Sequence, residues 1–245
     1  MRKKLVINKL LKKSKRMKIV AMSDLHGDLP NINLFEECEV AFICGDISPL
    51  NIQANNRKMK KWLLETFKPW CEALPCDKVF FIAGNHDWVA FRDLEFMRKV
   101  FPTDEKVTYL CNEGTSYISR DGKEYKLFGT PFCTQFYNWA FMEADDELAK
   151  LYLAIPDGLD VLLSHDQPYG YGDILLQDTP WNGRDHIGNK PLLGAVFAKQ
   201  PKYMFCGHLH STTHECVEIL QTKRYNVSLK DEYYNMVYEP LYLDI

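Results

Sequence analysis

Five of the seven histidines, at 26, 86, 165, 208 and 210, stand just past the carboxyl end of short apolar runs, in company with Asp24, Asp46, Asn85 and Asp87. Imidazole nitrogens, carboxylates and amide oxygens are donors for divalent cations, and enough of them gathered in one place can hold more than one ion. Taken singly, the segments carry little. An Asp-x-His after a strand is more often a turn or capping arrangement, and Gly84-Asn85-His86-Asp87 alone could be a turn. Gly207-His208-Leu209-His210 is stronger, because two imidazoles two residues apart after a strand can bind neighbouring ions. The conjunction of all these segments at strand ends points to one polynuclear metal site. His186 and His214 fall outside the pattern: His214 reads as a surface or packing residue, and His186, in NGRDHIGN, as a residue of a pocket rim.

The elements that must position these groups are legible from apolar patterning. KIVAMSD (18–24), VAFICGD (40–46), VFFIAGNHD (79–87), DVLLSHD (160–166) and YMFCGH (203–208) each read as a strand buried on both faces, because their apolar character is nearly continuous over four to six residues. Polar groups at the carboxyl ends of such strands share one edge of an α/β sheet, the crevice where these folds place ligands. Between the strands, 59–74 has helical spacing, with Pro69 expected to kink or end it, and 89–101 and 144–155 are further helices. The first half is therefore a β-α-β succession. Beyond residue 105, TSYIS and KEYKLFGT flank a turn at Asp121-Gly122 and predict a hairpin. HECVEI, KRYNVSL and YEPLYLDI are expected to supply strands of a second sheet.

With 245 residues, 46% hydrophobic and 26% charged, the chain can bury one sizeable core, which excludes wholesale disorder. No apolar run reaches the roughly 18 residues that a membrane span needs. The net charge of −3 is uneven: residues 1 to 18 hold nine Lys and Arg and no acid, and the rest has 21 basic against 33 acidic residues, a balance of −12. An acidic body argues against a long nucleic-acid duplex as partner, which would need a basic stripe. Residues 1–16 are expected to be a basic, flexible arm, neither signal nor transit peptide, ahead of a single domain over 17–245. The eight cysteines include no Cys-x-x-Cys pair, and several sit inside apolar runs, as expected of free thiols in a cytoplasmic protein.

SDLHG (23–27), GD (45–46), GNHD (84–87), SH (164–165) and GHLH (207–210), in this order, resemble the signature of the calcineurin-like metallophosphoesterase superfamily. Within it, GTPFCTQFYNWAF (129–141) looks like the smaller metallophosphoesterase-domain proteins, some of which hydrolyse phosphodiesters. The resemblance implies an α/β fold, a two-sheet β-sandwich flanked by helices in four αββα layers. Carried over by position, it implies that Asp24, His26 and His210 hold one metal ion, that Asn85, His165 and His208 hold another, and that Asp46 bridges them. It further implies that His86 acts as general acid, that Asn85 and His86 contact the substrate, and that Asp87 hydrogen-bonds the His86 imidazole; alternatively Asp87 caps the following helix.

Two divalent ions of this kind lower the pKa of a shared water and clamp phosphoryl oxygens, so that a bridging hydroxide attacks phosphorus. A donor set of imidazole, carboxylate and amide without thiolate suits Mn, Fe, Zn or Co. The expected partner is a small phosphoester, with a phosphodiester, nucleotides among them, favoured. Phosphomonoester, phosphoprotein and nuclease activity are the alternatives, with a non-catalytic metal-binding scaffold behind them. GDISPL and GNHD depart from the GDxVDRG and GNHE of phosphoprotein phosphatases. Tyr137, Asn138, Trp139 and Trp181 are candidates to cradle a base or aromatic leaving group, although core or surface roles suit each as well.

Overall fold

The computed structural model describes residues 16–176 and 186–245; the basic arm up to residue 15 and Trp181 lie outside the described residues. The expected strands form two sheets. The first contains β1 (Lys18–Met22), β2 (Val40–Cys44), β3 (Lys78–Ile82), β4 (Val107–Tyr109) and β13 (Leu241–Asp244), in the order β13-β1-β2-β3-β4. The second contains β5 (Glu113–Ile118), β6 (Glu124–Thr130), β9 (Val161–Ser164), β10 (Tyr203–Cys206), β11 (Val217–Ile219) and β12 (Thr222–Asn226), in the order β11-β12-β10-β9-β6-β5. A short parallel pair, β7 (Cys133–Thr134) and β8 (Met142–Glu143), stands beside them.

Strand alternation builds the layers. Ile19, Phe42 and Phe80 from the first sheet meet Val161, Leu163 and Phe205 from the second in an inter-sheet core. Their neighbours Val20, Ile43 and Phe81 face outward onto Met59, Phe67 and Phe101. Leu162 and Met204 face outward from the second sheet onto Leu148 and Val196. A strand with both faces covered must be apolar at every position, which is why these runs read as continuous. Each fully buried large apolar side chain contributes roughly 1.5–3 kcal/mol before the entropy of ordering it is subtracted. The fold is the four-layer αββα sandwich that the resemblance implied.

The outer layers are α1 (Asn56–Trp62), α2 (Lys68–Ala73), α3 (Trp88–Arg92) and α4 (Leu94–Val100) on one side, and α5 (Asp145–Tyr152) and α6 (Lys190–Lys199) on the other. Pro69 does not end its helix. A π-helical turn over Leu63–Phe67 widens the coil and leads into α2, where Pro69 occupies the first turn and needs no N–H. The helix expected over 89–101 is divided at Asp93, whose backbone leaves the helical region at φ −143° and whose carboxylate accepts from Phe96 N at 3.0 Å. The hairpin turns at Gly122, φ 85°. YEPLYLDI corrects the expectation for the C-terminal segment: β13 pairs antiparallel with β1 and closes the edge of the first sheet rather than joining the second. No helix among the described residues is long and apolar enough to cross a membrane.

Candidate metal centre

The parallel strands β1, β2, β3, β9 and β10 all end at one edge, and each releases its polar residues there. Asp24, His26, Asp46 and His208 adopt left-handed backbone conformations, with φ of 57°, 44°, 49° and 65°. Each costs a non-glycine residue on the order of 1–3 kcal/mol, and such positions cluster at functional sites. Cross-loop bonds hold them: Asp24 N donates to Gly45 O at 3.0 Å, and His26 N to Asp46 O at 2.8 Å. His86 N donates to Asp46 Oδ1 at 2.8 Å, and His208 N to both Asp24 oxygens at 3.2 Å. Gly84 leaves room for the cluster, since a Cβ there would stand 2.5 Å from His165 Nε2.

The seven candidate ligands converge. Donor atoms of Asp24, His26 and His210 lie within 4.8 Å of one another, with His26 Nε2 and His210 Nε2 facing at 3.4 Å and His210 Nε2 3.4 Å from Asp24 Oδ1. Asp46 stands between the two halves, its Oδ2 3.8 Å from His26 Nε2 and 3.3 Å from His165 Nε2. His165 Nε2 is 3.1 Å from Asn85 Oδ1, and the His165 and His208 rings are 5.1 Å apart.

The protons test whether a cation fits. His165 Nδ1 donates to Cys44 O at 2.8 Å and His210 Nδ1 to Asp231 O at 2.9 Å, so in the neutral rings Nε2 presents a lone pair to carboxylate oxygens. That contact is repulsive unless a positive charge intervenes. The buried Nδ1 of His26 has no hydrogen-bond partner among the described residues. The donor set therefore fits divalent cations, with the outward nitrogens of His165 and His210 fixed as is usual for metal-binding imidazoles.

Titration behaviour shows the same demand for charge. Burial alone would lower His165, but the charge and hydrogen bond of Asp46, with Asp24, carry it up to about 10. Burial also opposes protonation of His210, and Asp24 carries it up to about 9. Burial would raise both carboxylates, yet His210 chiefly holds Asp24 down, and His165 and His86 hold Asp46 well below the ordinary carboxylate range. In each pair a proton stands where a metal ion would displace it. His26 has less support, and burial pushes it down to about 3.

His86 stands at the edge of the cluster, Nε2 3.9 Å from Asp46 Oδ2, and burial lowers its pKa. Asp87 does not meet it, which corrects the expected dyad. The Asp87 carboxylate turns under the loops instead, accepting from Gly84 N at 2.8 Å, Ser48 N at 2.9 Å and Ser48 Oγ at 2.6 Å, and burial beside Asp46 pushes it up to about 6. Nor does its side chain cap the helix that follows. Asp87 ties the GD loop to the GNHD loop, and the partner of His86 is Gln53, whose Oε1 is 2.7 Å from Nδ1.

A cleft of about 540 Å³ opens over these groups, with Asp46, His86 and His208 in its lining and Phe136, Trp139, Tyr233 and Tyr234 as its aromatic members. The Trp139 ring lies 4.5 Å from that of His86, and Tyr234 meets His26 edge-on at 4.8 Å. Tyr137 is 71% exposed and meets the Phe136 ring edge-on. His186 bonds Asp173 at 2.6 Å, and its neighbour Ile187 lines the cleft. His214 packs on Tyr238 and supports the ligand loop through His210 O at 3.0 Å. Gln53 and Tyr234 had no sequence signal, since each lies in a loop outside any recognisable spacing.

Fold and donor cluster together define a metal-binding αββα sandwich protein. A family model described as calcineurin-like phosphoesterase matches residues 17–212, and the chain belongs to that family. It is 34% identical over 121 residues to a UPF0046 protein of Caenorhabditis elegans, a match covering 49% of this chain and 29% of that protein. It is 26% identical over 212 residues to the human Metallophosphoesterase domain-containing protein 1, covering 79% of this chain and 60% of the relative. The chain thus spans less than two thirds of the length of these relatives. The solved structure of TT1561 of Thermus thermophilus shares the fold, with a TM-score of 0.53 at 13% identity over 86% of this chain and 88% of that one.

Proposed function

We propose that this chain is a phosphoesterase working with two divalent metal ions, drawn from Mn, Fe, Zn and Co, on small phosphodiesters, nucleotides among them. The carrying observation is the convergence of Asp24, His26, Asp46, Asn85, His165, His208 and His210, of which Asp46, Asn85, His208 and His210 line one cleft together with His86. Ions held there supply Lewis acidity toward phosphoryl oxygens and a nucleophilic water at neutral pH. Asp24, His26 and His210 would hold one, Asn85, His165 and His208 the other, and Asp46 would touch both. Asn85 and His86 contact the phosphoryl group. His86, with Nδ1–H given to Gln53 Oε1, directs Nε2 toward the reacting centre, where the doubly protonated ring passes its Nε2 proton to the departing oxygen and is left neutral. Asp87 acts at a distance from substrate by holding the two ligand loops together.

The diester preference rests on charge. Among the described residues, the cleft lining contains no Lys or Arg and includes Asp166 and Glu232. A monoester dianion is ordinarily clamped by arginine, whereas a diester carries one negative charge and two organic groups that aromatic walls can receive. Residues 17–245 are read as one domain, since strands from both ends of this range share the first sheet.

The test is hydrolysis of bis-p-nitrophenyl phosphate beside p-nitrophenyl phosphate by chelator-stripped protein, before and after reloading with manganese. Metal-dependent turnover with the diester preferred supports the reading, and preference for the monoester replaces it with a phosphatase. Two bound ions without turnover of either ester would make the centre a binding site.

A further inference from the structure

We propose that Cys133 is a thiolate ligand of the ion held by His165 and His208, so that one of the two metal positions carries sulfur. The inference rests on the metal-centre reading above and adds a donor to it. The motif donors contain no thiolate, and Cys133, in GTPFCTQ, has no metal-binding spacing to mark it.

Three observations separate Cys133 from the other cysteines. Its Sγ and one ring nitrogen each of His165 and His208 lie within 4.8 Å of one another. A tetrahedral ion with Zn–S of about 2.3 Å and Zn–N of about 2.0 Å spaces those donors by roughly 3.5 Å, so the three groups need close in by no more than about 1.5 Å. Secondly, Cys133 is fully buried yet belongs to none of the three apolar cores, whereas Cys38 and Cys71 pack in the first outer core, Cys44 between the sheets and Cys206 in the second outer core. Among the described residues its thiol makes one weak hydrogen bond, from Sγ to Pro131 O at 3.4 Å. Thirdly, neither ring nitrogen of His208 has a hydrogen-bond partner among the described residues, so that imidazole is uncommitted beside the thiol.

The backbone around Cys133 is braced to the same ligand loop. Cys133 N donates to Phe141 O at 2.9 Å, and the next residue, Thr134, donates its N–H to Asp166 Oδ2 at 2.8 Å. Asp166 directly follows His165, and its Oδ2 also accepts from Asn189 Nδ2 at 3.0 Å. One carboxylate thus ties the backbone of β7 to the loop that carries His165. On binding, the S–H bond breaks, the sulfur lone pair forms the bond to the cation, and the proton leaves to solvent. A thiolate at this position favours zinc, cobalt or ferrous iron over manganese there, while the Asp24, His26 and His210 position has only nitrogen and oxygen donors.

The probe is cobalt(II) loaded into the chelator-stripped full chain, with metal counted by mass spectrometry. The expected result is two cobalt ions per chain and a sulfur-to-cobalt charge-transfer absorption in the near ultraviolet. Cys133→Ser should abolish that absorption while keeping close to two ions, and should weaken zinc relative to manganese by about tenfold or more. X-ray absorption on the zinc-loaded wild-type chain should show a sulfur neighbour at about 2.3 Å and needs no variant to fold. Two bound ions with no charge-transfer absorption and no sulfur neighbour would overturn the role of Cys133 and leave the metal centre standing. Failure to bind cobalt or zinc at all would overturn the centre itself.

Discussion

The two ends of the sandwich handle charge in opposite ways. At the carboxyl edge, Asp24, Asp46 and His165 are buried, and the backbone bends into left-handed conformations to bring them together. Around the opposite edge, where β2 and β3 begin, Arg120 bonds Asp77 at 2.7 Å and Glu37 at 3.0 Å, and Lys18 bonds Glu36 at 2.7 Å, all with substantial exposure. The exposed pairs neutralise themselves in water, and each is worth little. The buried set cannot neutralise itself without a proton or a cation, so it is costly when empty and strong when filled. The same strands therefore carry a self-neutralised end and a working end.

Asp46→Ala should break the working end most completely. With the group between both halves gone, bound metal should fall from two ions toward none by mass spectrometry, and turnover with it; retention of full activity would show that the centre is misplaced. His86→Ala should instead keep close to two ions and cut turnover by about 10²–10⁴ for esters with poor leaving groups, and far less for p-nitrophenyl esters. Loss of metal in that variant would make His86 a ligand rather than an acid.

Gly84→Ala should be next, since its methyl would meet His165 and Asp46; the expected loss is about 1–3 kcal/mol in denaturant unfolding, together with weaker metal binding.

The metal-free chain should reveal the frustrated charges through pH. His165 and His210 have folded values of about 10 and 9, above their ordinary 6.5. A raised value means that the folded state binds the proton more tightly, so this stabilisation is complete below pH 6.5 and is lost as pH rises through 9 to 10. Thermal melting of stripped protein should thus fall over that window, and metal-loaded protein should fall less. An identical decline in both would argue that cations do not replace these protons. The smallest effect belongs to the other end: Arg120→Ala should cost no more than about 1 kcal/mol and leave metal content and turnover unchanged.

Much of this was legible in the sequence for a specific reason. A strand covered on both faces has no freedom to include a polar residue until it emerges, so Asp24, Asp46, Asn85, His165 and His208 announce both the strand end and the site. What failed depended on direction rather than position. Adjacency of Asp87 to His86 could not tell whether the carboxylate points to the ring or back beneath Gly84 and Ser48. Gln53 reaches the ring across 33 residues, from a loop with no periodicity. Tyr234 approaches the histidines from a turn near the C-terminus, and apolar alternation in 238–245 fixed a strand but not which sheet received it.

The pairing of β13 with β1 bears on how the molecule comes into being on the ribosome. Lys18 lies opposite Asp244, so one border of the first sheet stays unpaired until β13 has been made. The His210 ring is likewise steadied by the carbonyl of Asp231, another late arrival. Until β13 emerges, the nascent chain therefore exposes a bare strand border beside Asp24 and His26, which invites capture by chaperones or mispairing with a neighbour.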